Sequence, residues 1–175
     1  MTPLRKGIVL AVLQLAIVAS LGAKLLIDRG RYPRVWAQLA VYDPDLPIRG
    51  RYLQMRLEVN ADRIYGQPAT ARPQLGNWYN EMHDVWLSVE NNQLVANQND
   101  RFSGMQVTRW WVGNRQVAVL VKPVAFFIPE DAPDPSRVKP GEELWVEVTV
   151  PKRGPPRPIR LGIKKEGVLT PLKLD

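Results

Sequence analysis

Residues Gly7–Ala23 read GIVLAVLQLAIVASLGA, and no charged side chain interrupts them. Arg5 and Lys6 precede the run, and Lys24 follows it before Leu25, Leu26, Ile27 and Asp28. As a helix, Gly7 to Ile27 is roughly 31 Å long at 1.5 Å per residue, close to the ~30 Å hydrocarbon core of a bilayer. Lys24 falls in the last turn, where its stem can carry the ammonium group to the headgroups. A membrane anchor is therefore predicted over residues 1–28. The same features describe a cleaved signal peptide, with small residues around Ser20-Leu21-Gly22 at the cleavage position. The apolar run is longer than most signal cores, which favours the anchor. Arg5, Lys6 and the terminal amine stand against Lys24, Arg29, Arg31 and Arg34, so the positive-inside balance is nearly even. A short basic head before an apolar run is the pattern of an export signal. The amino end is expected inside the cytoplasm and the remainder outside it, at the lipid bilayer and away from nucleic acid.

Residues 29–42, RGRYPRVWAQLAVY, are basic and aromatic. Read as a juxtamembrane helix, they place Tyr32 and Trp36 on one face, four residues apart. Trp and Tyr favour the headgroup level, and arginines suit anionic lipid. Lys24, Arg29, Arg31, Tyr32, Arg34 and Trp36 are then the membrane-interface set. The alternative is a linker that ends in the first strand of the following domain.

The rest of the chain, residues 43–175, alternates as strands do. In Arg51–Val59, one face carries Tyr52, Gln54, Arg56 and Glu58, the other Leu53, Met55, Leu57 and Val59. Glu143–Val150 sets Leu144, Val146, Val148 and Val150 against Glu143, Trp145, Glu147 and Thr149. Asn91-Asn92 and Gly113-Asn114 supply the residues that tight hairpin turns need. Pro123 must interrupt a ladder, because it has no N–H to donate. Residues 60–83 look like a long loop. The sixteen prolines and twelve glycines favour short strands over long helices. An all-β fold is predicted, a small barrel or sandwich of about eight or nine short strands behind one transmembrane helix.

Chemistry is sparse. The chain has no cysteine, so disulfides, thiolate metal sites and cysteine catalysis are excluded. The one histidine, His83, has Glu81 and Asp84 beside it, one imidazole in one loop, whereas metal sites gather three or four ligands. Ser103-Gly104-Met105 invites comparison with membrane peptidases that use a Ser/Lys dyad, but those carry methionine directly after the serine. A membrane-tethered hydrolase would have to bring Glu81, His83, Asp84 and Ser103 together. Trp110 and Trp111 beside Arg109 are a candidate glycan platform, although adjacent strand residues face opposite ways, so one is expected in the core. The carboxylates around Glu130 read as a solvated turn. With 24 basic and 17 acidic residues, the +7 chain favours anionic lipid or an acidic partner, especially at its basic carboxyl end. No cofactor is expected.

The order Asp43-Pro44, Arg49-Gly50-Arg51-Tyr52, Met55 and Leu57, then Phe126-Phe127-Ile128-Pro129-Glu130 and the strand Leu144–Val150, resembles the GDYXXLXY family of bacterial membrane-anchored proteins. Here Arg51 stands where the motif has aspartate, Met55 where it has leucine, and Leu57 where it has the final tyrosine. The resemblance implies an amino-terminal anchor and a β-rich body, and it brings no activity with it. The Arg51 departure points to a structural motif, with Gly50 permitting a tight entry and Tyr52 packing the strand it opens. Such proteins are similar to accessory proteins of multi-pass membrane proteins, so an integral membrane partner is implied. The expectation is a non-catalytic interaction module, with a tethered envelope hydrolase or glycan-binding domain as its rival.

Overall fold

The computed structural model describes residues 3–43, 51–66, 81–99, 104–130, 132, 134–135 and 137–174. Pro44, Arg49, Gly50, Ser103 and Asp131 lie outside these residues, as do the side chains of Arg29, Asp43 and Arg51. The chain divides into two compact units, Met1–Tyr32 and Pro33–Asp175.

The first unit is helix α1, Pro3–Arg31. Its segment Arg5–Ile27, 23 residues, is long and apolar enough to cross a membrane, and none of it is buried against the protein. At 1.5 Å per residue it reaches roughly 34 Å. Ser20 is tolerated there because its hydroxyl donates to the Ile17 carbonyl one turn back, at 2.8 Å. Lys24 and Arg31 are exposed along the carboxyl-terminal half.

Among its described residues, the second unit is all β apart from one helical turn. Ten strands run β1 Arg34–Asp43, β2 Arg51–Val59, β3 His83–Glu90, β4 Gln93–Gln98, β5 Gln106–Val112, β6 Arg115–Leu120, β7 Val124–Ile128, β8 Glu142–Thr149, β9 Arg157–Lys165 and β10 Val168–Pro171. They form one antiparallel sheet in the order β10-β9-β8-β1-β2-β6-β5-β3-β4, with β7 also on β2. The alternation seen in the sequence sets the faces. Leu53, Met55, Leu57 and Val59 of β2 are buried with Val146 and Val148 of β8, Val35 and Ala37 of β1, and Leu161 of β9. The sheet also turns back on itself. Asn60 donates to the Leu94 carbonyl and accepts from the Ala96 N–H, both at 2.8 Å. This parallel bridge ties β4 to the end of β2, so β2, β6, β5, β3 and β4 close a ring.

Two prolines explain departures from a simple ladder. The segment 121–123 separates β6 from β7, and both then lie along the same edge of β2. β6 pairs with Glu58 and Val59, whereas β7 pairs with Arg51 to Met55. Pro158 pairs with Val148 where the β8–β9 register shifts, so it sits at a bulge where no N–H is required.

The structure bears on several of the expectations. Of the two readings of residues 29–42, the strand reading holds: α1 ends at Arg31 and β1 begins at Arg34. Pro33 disfavours the helical conformation at Tyr32, and β1 follows, pairing with β2 and β8. The β domain thus begins at Pro33 rather than at Asp43. Trp36 lies on a strand and shares no helix face with Tyr32. Finally, the predicted loop 60–83 contains helix α2, Asp62–Tyr65.

Candidate functional site

The β domain carries a cleft of about 680 Å³, within the ~300–1,000 Å³ range of small-ligand sites. One wall is the outer face of β1, β8 and β9. The pleat that buries Val35, Ala37 and Leu39 turns Trp36 and Gln38 outward. Gln38 stands opposite Trp145, and Trp145 opposite Gly162. The facing wall comes from the Asn91-Asn92 turn, the end of β2 and the start of β6. Asn91 and Asn92 hold φ of 48° and 59°, the left-handed region that asparagine enters more readily than most residues.

The two half-buried tryptophans are held firmly. Trp145 donates its indole N–H to Glu143 at 3.1 Å, and the Lys164 ammonium lies 4.6 Å from its ring centroid. Trp36 rests on Gly162, where an added Cβ would stand 2.9 Å from Cζ3 and 3.0 Å from Cη2. Arg160 lies 5.5 Å from the Trp36 centroid while its Nε donates to Glu147 at 2.6 Å. The basic carboxyl-terminal strand is thus largely engaged with the sheet, and Lys165 adds a 3.9 Å ion pair to Glu142.

Charges at the far end of the cleft are also committed. Arg115 grips Glu58 with both guanidinium nitrogens. Arg109 donates to the Tyr65 carbonyl and stacks 4.7 Å from the Tyr65 ring centroid. The Tyr65 hydroxyl reaches the carbonyls of Glu81 at 2.8 Å and Val107 at 2.9 Å, and its one proton serves one of them at a time. Burial pushes this phenol up from 10.0 to about 12, with the Arg109 charge opposing and the Glu81 charge adding. Outside the cleft, Arg63 of α2 binds Glu90 and the buried Asn97, and Asn97 in turn donates to Ser88 at 2.8 Å. The Arg63 and Ser88 hydrogen bonds hold Glu90 below the usual carboxylate range.

The residues singled out from sequence fall in separate places. Met55 and Leu57 are core. Tyr52 and Phe127 are opposite each other on β2 and β7, about half exposed, with rings edge to face at 5.4 Å. Tyr52 therefore packs on the outside of the sheet, against its motif partner. Pro129 and the exposed Glu130 follow β7, and the Pro129 carbonyl accepts from the Ala132 N–H at 3.2 Å. Glu81 and His83 approach to 3.7 Å, and His83 meets the Tyr65 ring at 5.0 Å between centroids. Among the described residues, no group of three or more His, Asp or Glu side chains is placed to hold a metal. Trp110 and Trp111 are both half-buried, so neither is the expected core residue, and Arg56 lies 5.2 Å from the Trp110 centroid.

Trp145 escaped attention in the sequence as one member of a polar strand face. Its signal was its position, an indole between Glu143 and Glu147 on the solvent side of a half-buried strand. Gly162 carried no sequence signal at all, since its role depends on which tryptophan crosses it.

No family model, curated protein or solved structure matches this chain.

Proposed function

We propose that this is a single-pass, membrane-anchored envelope protein of the bacterial inner membrane, with α1 in the bilayer and the β domain on the extracytoplasmic side. The β domain acts as a non-catalytic accessory or interaction module for an integral membrane protein. One observation carries the reading: an unburied apolar helix of membrane-spanning length precedes a β domain with its own closed core. Moving an apolar span into lipid is favoured by roughly 25 cal/mol per Å² of surface removed from water, and no surface of the β domain has to be spent on the anchoring. The resemblance to the GDYXXLXY proteins supports the same role. Tyr52 and Phe127, the motif aromatics, form an exposed pair that suits a contact surface better than a reaction centre.

Extraction in mild detergent at native expression tests the partner. A second integral membrane protein should co-purify, and replacing both Tyr52 and Phe127 with serine should weaken its recovery. Isolation of the protein solely as a free monomer would contradict the reading.

A further inference from the structure

We infer that the cleft bounded by Trp36, Gln38 and Trp145 on one side and Asn92 and Gln116 on the other binds an uncharged carbohydrate chain. This goes beyond the anchoring reading and does not rest on it. Three observations select the ligand class.

The first is the state of the aromatic wall. The Trp145 N–H is already spent on Glu143, so the ring offers a ligand only its π face and hydrocarbon edge. That surface suits the C–H face of a sugar ring better than a hydrogen-bond acceptor. The side chain is fixed before any ligand arrives, which lowers the ordering cost of binding.

The second is the state of the charges. An anionic ligand needs cations that are free to converge on it. Arg115 is held by both its nitrogens on Glu58, and Arg109 by the Tyr65 carbonyl and ring. Lys164 is the more adaptable group, and it lies over Trp145. An exposed cation–π contact is weak, so a stacked sugar ring can displace the ammonium cheaply.

The third is the amide lining of the two walls. The amide side chains of Gln38 and Asn92 line the cleft, one on each wall. Each amide offers an acceptor oxygen and two N–H donors. A hydroxyl group is both donor and acceptor, so a neutral polyhydroxyl chain satisfies such a wall without unpaired charge. A wholly apolar ligand would bury the Gln38 and Asn92 amides unsatisfied, which selects against it. The volume of about 680 Å³ accommodates a short oligosaccharide.

The full chain in an amine-oxide detergent provides the test, because a maltoside headgroup would itself compete. Chito-, cello- and malto-oligosaccharides are titrated against it, alongside a uronic-acid oligosaccharide, following tryptophan fluorescence and amide NMR shifts. At least one neutral series should bind and shift the Gln38, Asn92 and Gln116 signals. Trp145→Ala should weaken that binding roughly tenfold, whereas Trp145→Phe should largely preserve it. If Trp145→Ala fails to fold, Gln38→Ala on the neighbouring strand decides, with a weakening of roughly threefold to tenfold expected. No binding to any neutral series at about 10 mM would overturn the inference. So would binding unaffected by these substitutions, or binding confined to the uronic-acid chain. None of these results bears on whether α1 anchors the protein or a membrane partner co-purifies.

Discussion

Gly162 lies where Trp36 crosses the sheet, and no larger residue fits there. A Cβ at this position would also stand 3.1 Å from the Thr170 backbone carbonyl, so the ring and the neighbouring strand would both have to give. Gly162→Ala should therefore cost about 1–3 kcal/mol in urea denaturation and perturb the Trp36 environment in near-UV circular dichroism. Tyr65 makes a separate prediction through its proton. Its folded pKa of about 12 exceeds the ordinary 10.0. Between those values the unfolded chain has lost a proton that the folded chain still holds, so stability should fall as pH rises from about 10 to about 12. Tyr65→Phe should flatten that leg relative to the unsubstituted protein, measured as the denaturation midpoint across this range. At neutral pH the same substitution should cost only about 0.5–1.5 kcal/mol, the worth of one hydrogen bond. Neither effect can be read along the chain, since both depend on residues far apart in sequence that meet only after folding.

At the scale of elements, the α2 turn is too short to be stable alone. It is held on the β3–β4 hairpin by Arg63, which spans from Glu90 to Asn97. The Arg63–Glu90 pair is exposed, and such pairs add little to stability. Asn97 is the buried member, 9% exposed, and it both accepts from Arg63 and donates to Ser88. Asn97→Ala should cost about 1–3 kcal/mol and loosen α2, seen as faster amide exchange at Ile64–Gly66. Strands were the most legible elements, because half-buried antiparallel strands write their faces as period-two alternation. β2 follows that alternation, β8 follows it until Glu147 and Thr149 are buried as well, and Pro123 marked the step between β6 and β7. β1 was less legible. Its outward residues Trp36 and Gln38 and its basic start resemble a membrane-surface segment until the pairing with β2 and β8 is known. The closure through Asn60 was not legible either, because a single parallel bridge leaves no local pattern.

For the whole molecule, composition and the uncharged stretch Gly7–Ala23 already implied two parts of different character. The division falls at Tyr32–Pro33, earlier than the Asp43-Pro44 break suggested, because β1 supplies Val35, Ala37 and Leu39 to the core. The candidate cleft was legible only in its composition. The tryptophans expected to meet a ligand were Trp110 and Trp111, while those lining the cleft are Trp36, expected at the membrane interface, and Trp145. Removal of residues 1–32 should leave a soluble, cooperatively folding β domain, shown by a single urea transition and dispersed amide NMR signals, because that core lies wholly in residues 33–175. The most direct measurement is membrane fractionation combined with protease accessibility in intact and opened cells. The full chain should stay with membranes through an alkaline carbonate wash, and the β domain should be cut once the outer barrier alone is breached. A mature chain starting beyond Ala23 in the soluble fraction, or a β domain protected until the cytoplasm is opened, would contradict it.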